Sequence, residues 1–222
     1  MKMNILVCFV GIDGSGKTTL AKALAAVMKE KGIKCKYVYN QFNPVISKPF
    51  MLLGKTIFLH KKDVFNNYSD YFNAKRKLFK NNILSRIYKY FILLDYFIQV
   101  LFRVCIPLLL NRNIICDRYI HDVLINLAVD LNYSNDKIVN LLKNCLHFLP
   151  KPDLVFLIDV PEGIGMERKN DVPSIDYLRR RRKIYLDVGR ECGSVILDGT
   201  KSLEDLKNLI QKEVFGKVKI KC

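Results

Sequence analysis

Gly11-Ile12-Asp13-Gly14-Ser15-Gly16-Lys17-Thr18-Thr19 lies near the start of the chain and matches G-x-x-x-x-G-K-[ST], the phosphate-binding loop. Its flanks supply the structural context the motif needs. Asn4–Val10 is an apolar run that reads as a buried strand, and the residues from Thr18 onward read as a helix. Glycines let the backbone wrap phosphate groups with its N–H donors pointing inward. The helix N-terminus adds favourable partial charge. Gly11, Gly14, Ser15, Gly16, Lys17, Thr18 and Thr19 are therefore the candidate nucleotide contacts. Lys17 is expected at the β- and γ-phosphates and the Thr18 hydroxyl at Mg²⁺. A ligand-free glycine turn needs neither a lysine nor a threonine at those spacings.

Outward from the loop, strands alternate with helices. Helix-spaced Leu20, Leu24, Val27 and Met28 run to a stop at Gly32, and Lys34–Tyr39 reads as the second strand. Residues 41–112 are basic and aromatic and mostly helical in their second half. Asn113–Cys116, Leu154–Val160 and Ser194–Leu197 complete five strands, with helices expected over 122–131, 136–148 and from Ser202 onward. Such alternation implies a parallel sheet covered by helices on both faces. Ligands of such sheets bind beyond the carboxyl ends of the strands.

With 222 residues the chain reads as a single domain. Its net charge of +16 suits a nucleic-acid surface, an anionic membrane or a polyanionic small substrate, and the phosphate loop favours the last. Seven cysteines form no C-x-x-C pair, which fits the reducing cytosol and argues against a disulfide or metal framework. Tyr90–Leu110 is long and apolar enough to span a bilayer, but Asp95, Gln99 and Arg103 recur every four residues along one face. A charged residue at mid-bilayer costs roughly 2.5–3.5 kcal/mol, so a buried helix with a polar stripe facing a site is the expectation, with no membrane partner.

The strand ends supply the rest of the expected site. Asp117-Arg118-Tyr119 follows the third strand. Asp117 is suited to the Mg²⁺ side, and Arg118 to gripping a second phosphate with two N–H groups. Asp13, inside the loop, suits either an acceptor's hydroxyl or a local turn contact. After the fourth strand comes Glu162-Gly163-Ile164-Gly165-Met166-Glu167-Arg168-Lys169, then Arg179-Arg180-Arg181-Arg182. A cationic lid over 163–185 stabilises a transferring phosphoryl group and excludes water, with Arg168 the favoured residue.

These pieces together resemble the thymidylate kinase family of nucleoside monophosphate kinases. The likeness rests on the phosphate loop, on Asp117-Arg118-Tyr119, on Pro152-Asp153-Leu154, and on Glu167-Arg168-Lys169 with Tyr185 downstream. It implies an α/β P-loop kinase fold, a three-layer sandwich around a five-stranded parallel sheet. It also implies ATP and Mg²⁺ as cofactors, dTMP as acceptor and a homodimer. By the same likeness Lys17, Asp13 and Arg168 are catalytic, Thr18 and Asp117 hold the metal, and Asp13, Arg118 and Tyr119 meet the acceptor. Some members carry a catalytic arginine in the loop where this chain has Gly14. The family's Arg-Glu-Pro after the second strand is here Asn40-Gln41-Phe42. Its Phe-Arg pair on a helix before the third strand, which stacks on and grips thymine, is set against Asp95, Tyr96, Gln99 and Arg103, so Asp95, Gln99 and Arg103 become acceptor candidates within a helical acceptor-binding insertion over 41–112.

The alternatives are a kinase for a nucleoside or other small metabolite, and a nucleic-acid-associated P-loop ATPase, the latter prompted by the net charge and not favoured. A switch or partition ATPase often carries a second lysine early in the loop, which is absent here.

Overall fold

A computed structural model of the chain describes residues 5–49, 51–52, 68–169 and 171–221, with side chains given through 217. Five strands form one parallel sheet in the order β2-β3-β1-β4-β5: β1 Leu6–Val10, β2 Cys35–Tyr39, β3 Asn113–Asp117, β4 Leu154–Asp159 and β5 Val195–Asp198. Each lies within two residues of its expected bounds. Continuous apolar runs become central parallel strands because both their faces must be covered. Every residue of β1 is at most 2 % exposed.

The two-residue alternation divides the core. Val7 and Phe9 of β1, with Ile115 and Phe156, pack under α1 (Lys17–Glu30) and the C-terminal α8 (Leu203–Lys221). Leu6, Cys8, Ile114 and Cys116 face the other way. There they meet the long helix α3 (Asn82–Val100), α4 (Ile120–Leu131) and α5 (Asn135–Phe148). Helix α2 (Tyr68–Leu78) packs against α4, and α6 (Glu162–Glu167) against α7 (Ile175–Glu191).

Because β1 sits between β3 and β4, the loop after β1 lies where strand order reverses, the usual ligand crevice of an open α/β sheet. Helix α3 continues through a π-helical stretch, Leu101–Cys105, into Ile106–Leu109. By length and mean hydropathy, 1.9, Asn82–Leu109 is able to cross a membrane. Yet Asp95 and Gln99 are buried against protein, and the exposed residues, though mostly apolar, include Arg86 and Arg103.

Candidate functional site

The phosphate loop takes its shape from positive-φ glycines, with Gly14 at +78° and Gly16, the N-cap of α1, at +90°. Gly14 faces α6 so closely that an added Cβ would lie 2.1 Å from the carbonyl oxygen of Gly165. No side chain fits there, which is the physical reason this chain cannot place an arginine at that position. The same contact seats α6 directly on the loop.

Lys17 is 4 % exposed and donates from Nζ to the carbonyl oxygen of Ile12 at 2.7 Å. Burial pushes its pKa down to about 8, and the nearby Arg118 adds to the effect. Thr18 donates its hydroxyl to Asp117 Oδ2 at 2.5 Å, and the Tyr37 hydroxyl donates to the same oxygen at 3.0 Å. Asp117 Oδ1 is buried and has no hydrogen-bond partner among the described residues. A buried carboxylate oxygen left open beside the motif's threonine suits a hard divalent cation held mainly by nucleotide phosphates. Thr19, by contrast, is exposed on α1.

Next to the loop lies a cavity of about 270 Å³. Asp13 and Arg118 form its floor. Arg118 has φ +76°, a left-handed backbone uncommon for a side-chain-bearing residue, and this turns its guanidinium back over the sheet edge. Nη2 donates to Asp13 Oδ1 at 2.7 Å and Nη1 to Asp122 Oδ1 at 3.2 Å. The Tyr185 hydroxyl also donates to Asp122 Oδ1, at 2.7 Å. Burial alone would raise the pKa of Asp13, but Arg118, Lys17 and Lys169 outweigh it and hold the carboxyl well below its ordinary value. Asp122, more deeply buried, is pushed up by desolvation despite Arg118. Lys169 reaches Asp13 Oδ1 at 3.4 Å. Gln41, Phe42, Asn126, Tyr177 and Arg181 also line the cavity.

Several residues expected in the site are engaged elsewhere. The Tyr119 ring is fully buried in the core, and its hydroxyl donates to the Pro150 carbonyl at 2.8 Å. The polar stripe of α3 faces the segment after β2 instead of the cavity. Asp95 accepts from the backbone N–H groups of Val45, Ile46 and Ser47 at 3.2, 2.8 and 2.7 Å, and from the Ser47 hydroxyl. Gln99 donates to Asn40 Oδ1 at 2.8 Å and to the Gln41 carbonyl at 2.9 Å, and accepts from the Asn43 N–H at 3.1 Å. Arg103 donates to the Tyr39 carbonyl at 3.0 Å. All three therefore anchor the segment that presents Gln41 and Phe42. Arg168 donates to the Gly199 carbonyl at 3.2 Å, beyond the end of β5, because its neighbour Lys169 takes the side facing Asp13.

The four consecutive arginines diverge, as successive residues on a helix must. Arg179 pairs with Asp176 at the surface, and Arg180 lies 4.0 Å from the Phe72 ring centroid. Arg181 enters the cavity, while Arg182 clamps Asp159 and Glu162 at 2.7 and 3.2 Å. Helix α2 carries Phe72 and Arg76 one turn apart, with the guanidinium 5.0 Å from the ring centroid. Residues at i and i+4 lie on one face of a helix, which is why the two side chains meet. Arg76, however, lines a separate, more open cleft of about 630 Å³ with Lys77, Lys80 and Asp130.

Comparison with known proteins agrees with this geometry. The thymidylate kinase family profile matches residues 59–210. The chain is 25 % identical to a probable thymidylate kinase of Methanocaldococcus jannaschii, with 97 % of this chain and 96 % of the relative aligned. It is 28 % identical to one from Archaeoglobus fulgidus, with 98 % of each chain aligned. A thymidylate kinase of Aster yellows witches'-broom phytoplasma is 25 % identical, with 95 % of this chain and 98 % of the relative aligned. The profile spans more than half of the chain, and this chain belongs to the thymidylate kinase family.

Proposed function

We propose that this protein transfers the γ-phosphoryl group of ATP to dTMP, giving dTDP, with the cavity beside the phosphate loop as the acceptor site. The observation that carries the reading is the meeting of two half-sites at one sheet edge. Lys17 and Thr18 sit on the donor side, Asp13 and Arg118 on the acceptor side, and Arg118 Nη2 bridges to Asp13 at 2.7 Å. Backbone N–H groups of residues 11–19 take the donor phosphates, and Lys17 holds the group in transfer. Thr18 and Asp117 would hold Mg²⁺, which neutralises charge on the donor phosphates when bound. Arg118 takes the acceptor phosphate. Asp13 orients Arg118 and meets the acceptor's sugar. Helices α6 and α7 make up a lid over 163–185, and its cation nearest the reaction is Lys169. An ATP-coupled assay across nucleoside monophosphates and nucleosides tests this reading. dTMP should give the highest kcat/KM, and turnover of nucleosides alone would refute it.

Lys169→Ala is expected to lower kcat about 10- to 100-fold, the worth of one charge-assisted contact, and Arg168→Ala less than tenfold. Steady-state kinetics of the two variants side by side check the assignment, and the reverse order would return the lid role to Arg168.

The reading extends to a homodimer through α3. Ile83, Ile87, Tyr90, Leu94, Ile98 and Leu101 are all exposed and follow one another at spacings of three and four. Such a stripe is the seam of a helix that packs on another helix, and two copies related by a two-fold axis bury the same stripe against itself. Leu94→Glu should convert a dimer to a monomer in sedimentation. A wild-type monomer at micromolar concentration would overturn the proposal. The protein's place of action is the cytosol, in keeping with the free thiols of Cys8, Cys35, Cys105, Cys116, Cys145 and Cys192.

A further inference from the structure

We infer that Arg182 is a positioning residue for phosphoryl transfer: it pins the start of α6 to the end of β4 and so holds Lys169 against the phosphate loop. The inference rests on the reading that Lys169 is the lid's cation in the reaction. Helix α6 has 6 residues, too few to hold a helix by its own hydrogen bonds. Its place is set from outside. Arg182, two turns into α7, engages with all three guanidinium nitrogens. Nε and Nη2 donate to the two oxygens of Asp159 at 2.7 and 3.0 Å, and Nη1 donates to Glu162 Oε2 at 3.2 Å. Asp159 is the last residue of β4 and stands in register beside Asp198 of β5. Glu162 opens α6. One side chain therefore ties three elements together, and its two-pronged grip on Asp159 fixes the plane of the guanidinium.

A small shift of α6 matters because the helix meets the loop backbone to backbone. Gly14 has no room for a Cβ beside the Gly165 carbonyl, and a Cβ on Gly165 would lie 2.9 Å from the Asp13 carbonyl oxygen. The carboxylate of that same Asp13 is the one Lys169 reaches at 3.4 Å. Lys169 follows directly on the end of α6. Its N–H donates to the Met166 carbonyl at 3.4 Å, and that of Arg168 to the Ile164 carbonyl at 3.1 Å. Its side chain is 38 % exposed, and its other carboxylate partner, Asp171, is 71 % exposed, so the ammonium is placed by the backbone it hangs from more than by packing around it. A displaced α6 carries Lys169 with it, and a misplacement of about 1 Å costs up to about 10²-fold in rate. Arg182, Asp159 and Glu162 do not line the cavity. Their part in the reaction is exercised through Lys169.

The test is a double-mutant cycle with ATP and dTMP. It reads kcat, KM and Tm for wild type, Lys169→Ala, Arg182→Met and the double variant, with Glu162→Ala and Arg182→Lys beside them. Arg182→Met should lower kcat about 10- to 100-fold and leave the KM for ATP within a factor of about 3, because the loop backbone still takes the donor phosphates. Added to Lys169→Ala, it should cost less than about threefold more, since the residue it places is already gone. Glu162→Ala cuts only the tie to α6 and leaves the Asp159 pair. It should lower kcat at a Tm near that of wild type, so the outcome does not depend on Arg182→Met folding. Arg182→Lys keeps the charge but cannot hold two carboxylates in one plane, and should recover the Tm without the kcat. Equal losses from Arg182→Met with and without Lys169, kcat restored together with Tm in Arg182→Lys, or wild-type kcat in Glu162→Ala overturns the inference alone. Wild-type kcat in Lys169→Ala refutes the lid assignment and the inference with it. A wild type that phosphorylates no nucleoside monophosphate overturns the functional reading as well.

Discussion

Replacing Lys17 by alanine is expected to slow phosphoryl transfer about 10²- to 10³-fold while leaving the protein folded. Lys17 is the single cation of the loop, and Gly14 cannot be joined by a second, because the backbone of Gly165 occupies the space a side chain would need. The folded outcome follows from the depressed pKa of Lys17. Burial disfavours its charge, so removing the ammonium relieves desolvation, which offsets the loss of the hydrogen bond to Ile12 and of the attraction to Asp13, Asp122 and Asp117. Single-turnover rates together with thermal unfolding separate the two effects. Turnover within tenfold of wild type in a folded Lys17→Ala protein would remove Lys17 from the reaction.

Arg118→Ala carries the second large effect, and here stability and activity fall together. Arg118 lies between Asp13 and Asp122, with side chains 14, 17 and 6 % exposed. Removing it takes the ion-pair partner from Asp122 and leaves Asp13 with Lys17 and Lys169 alone in a largely dry site, and a buried pair that loses one partner costs about 3–5 kcal/mol. The catalytic loss should exceed tenfold in kcat/KM for dTMP and be larger for the acceptor than for ATP, because the guanidinium stands on the acceptor side. Arg118→Lys keeps the charge and loses the two-pronged geometry. It should recover much of the stability and little of the acceptor affinity, read as Tm against KM. Equal weakening of ATP and acceptor in both variants would assign Arg118 to the donor or to the scaffold alone.

The framework of this protein could be read from the chain itself. Strands β1 and β4 appear as continuous apolar runs because both their faces are buried, and the glycines, lysine and threonine of the loop have the fixed spacing of a phosphate-binding motif contained in one short segment. Asp117 was legible for a related reason: it ends a strand beside the loop. Tertiary structure decided what depends on direction and on distant partners. The stripe of Asp95, Gln99 and Arg103 has helical spacing whether it faces a substrate or a loop, and only the packing of α3 turns it toward residues 39–47. Tyr119 follows Arg118 in sequence, but the left-handed turn at Arg118 sends the two side chains apart, one to the site and one to the core. In the same way four adjacent arginines on α7 reach four different environments, since each residue turns about 100° from the last. Composition marks the segment as cationic. Which guanidinium enters the cavity is set by Asn126, 55 positions away in sequence and 2.9 Å away in space.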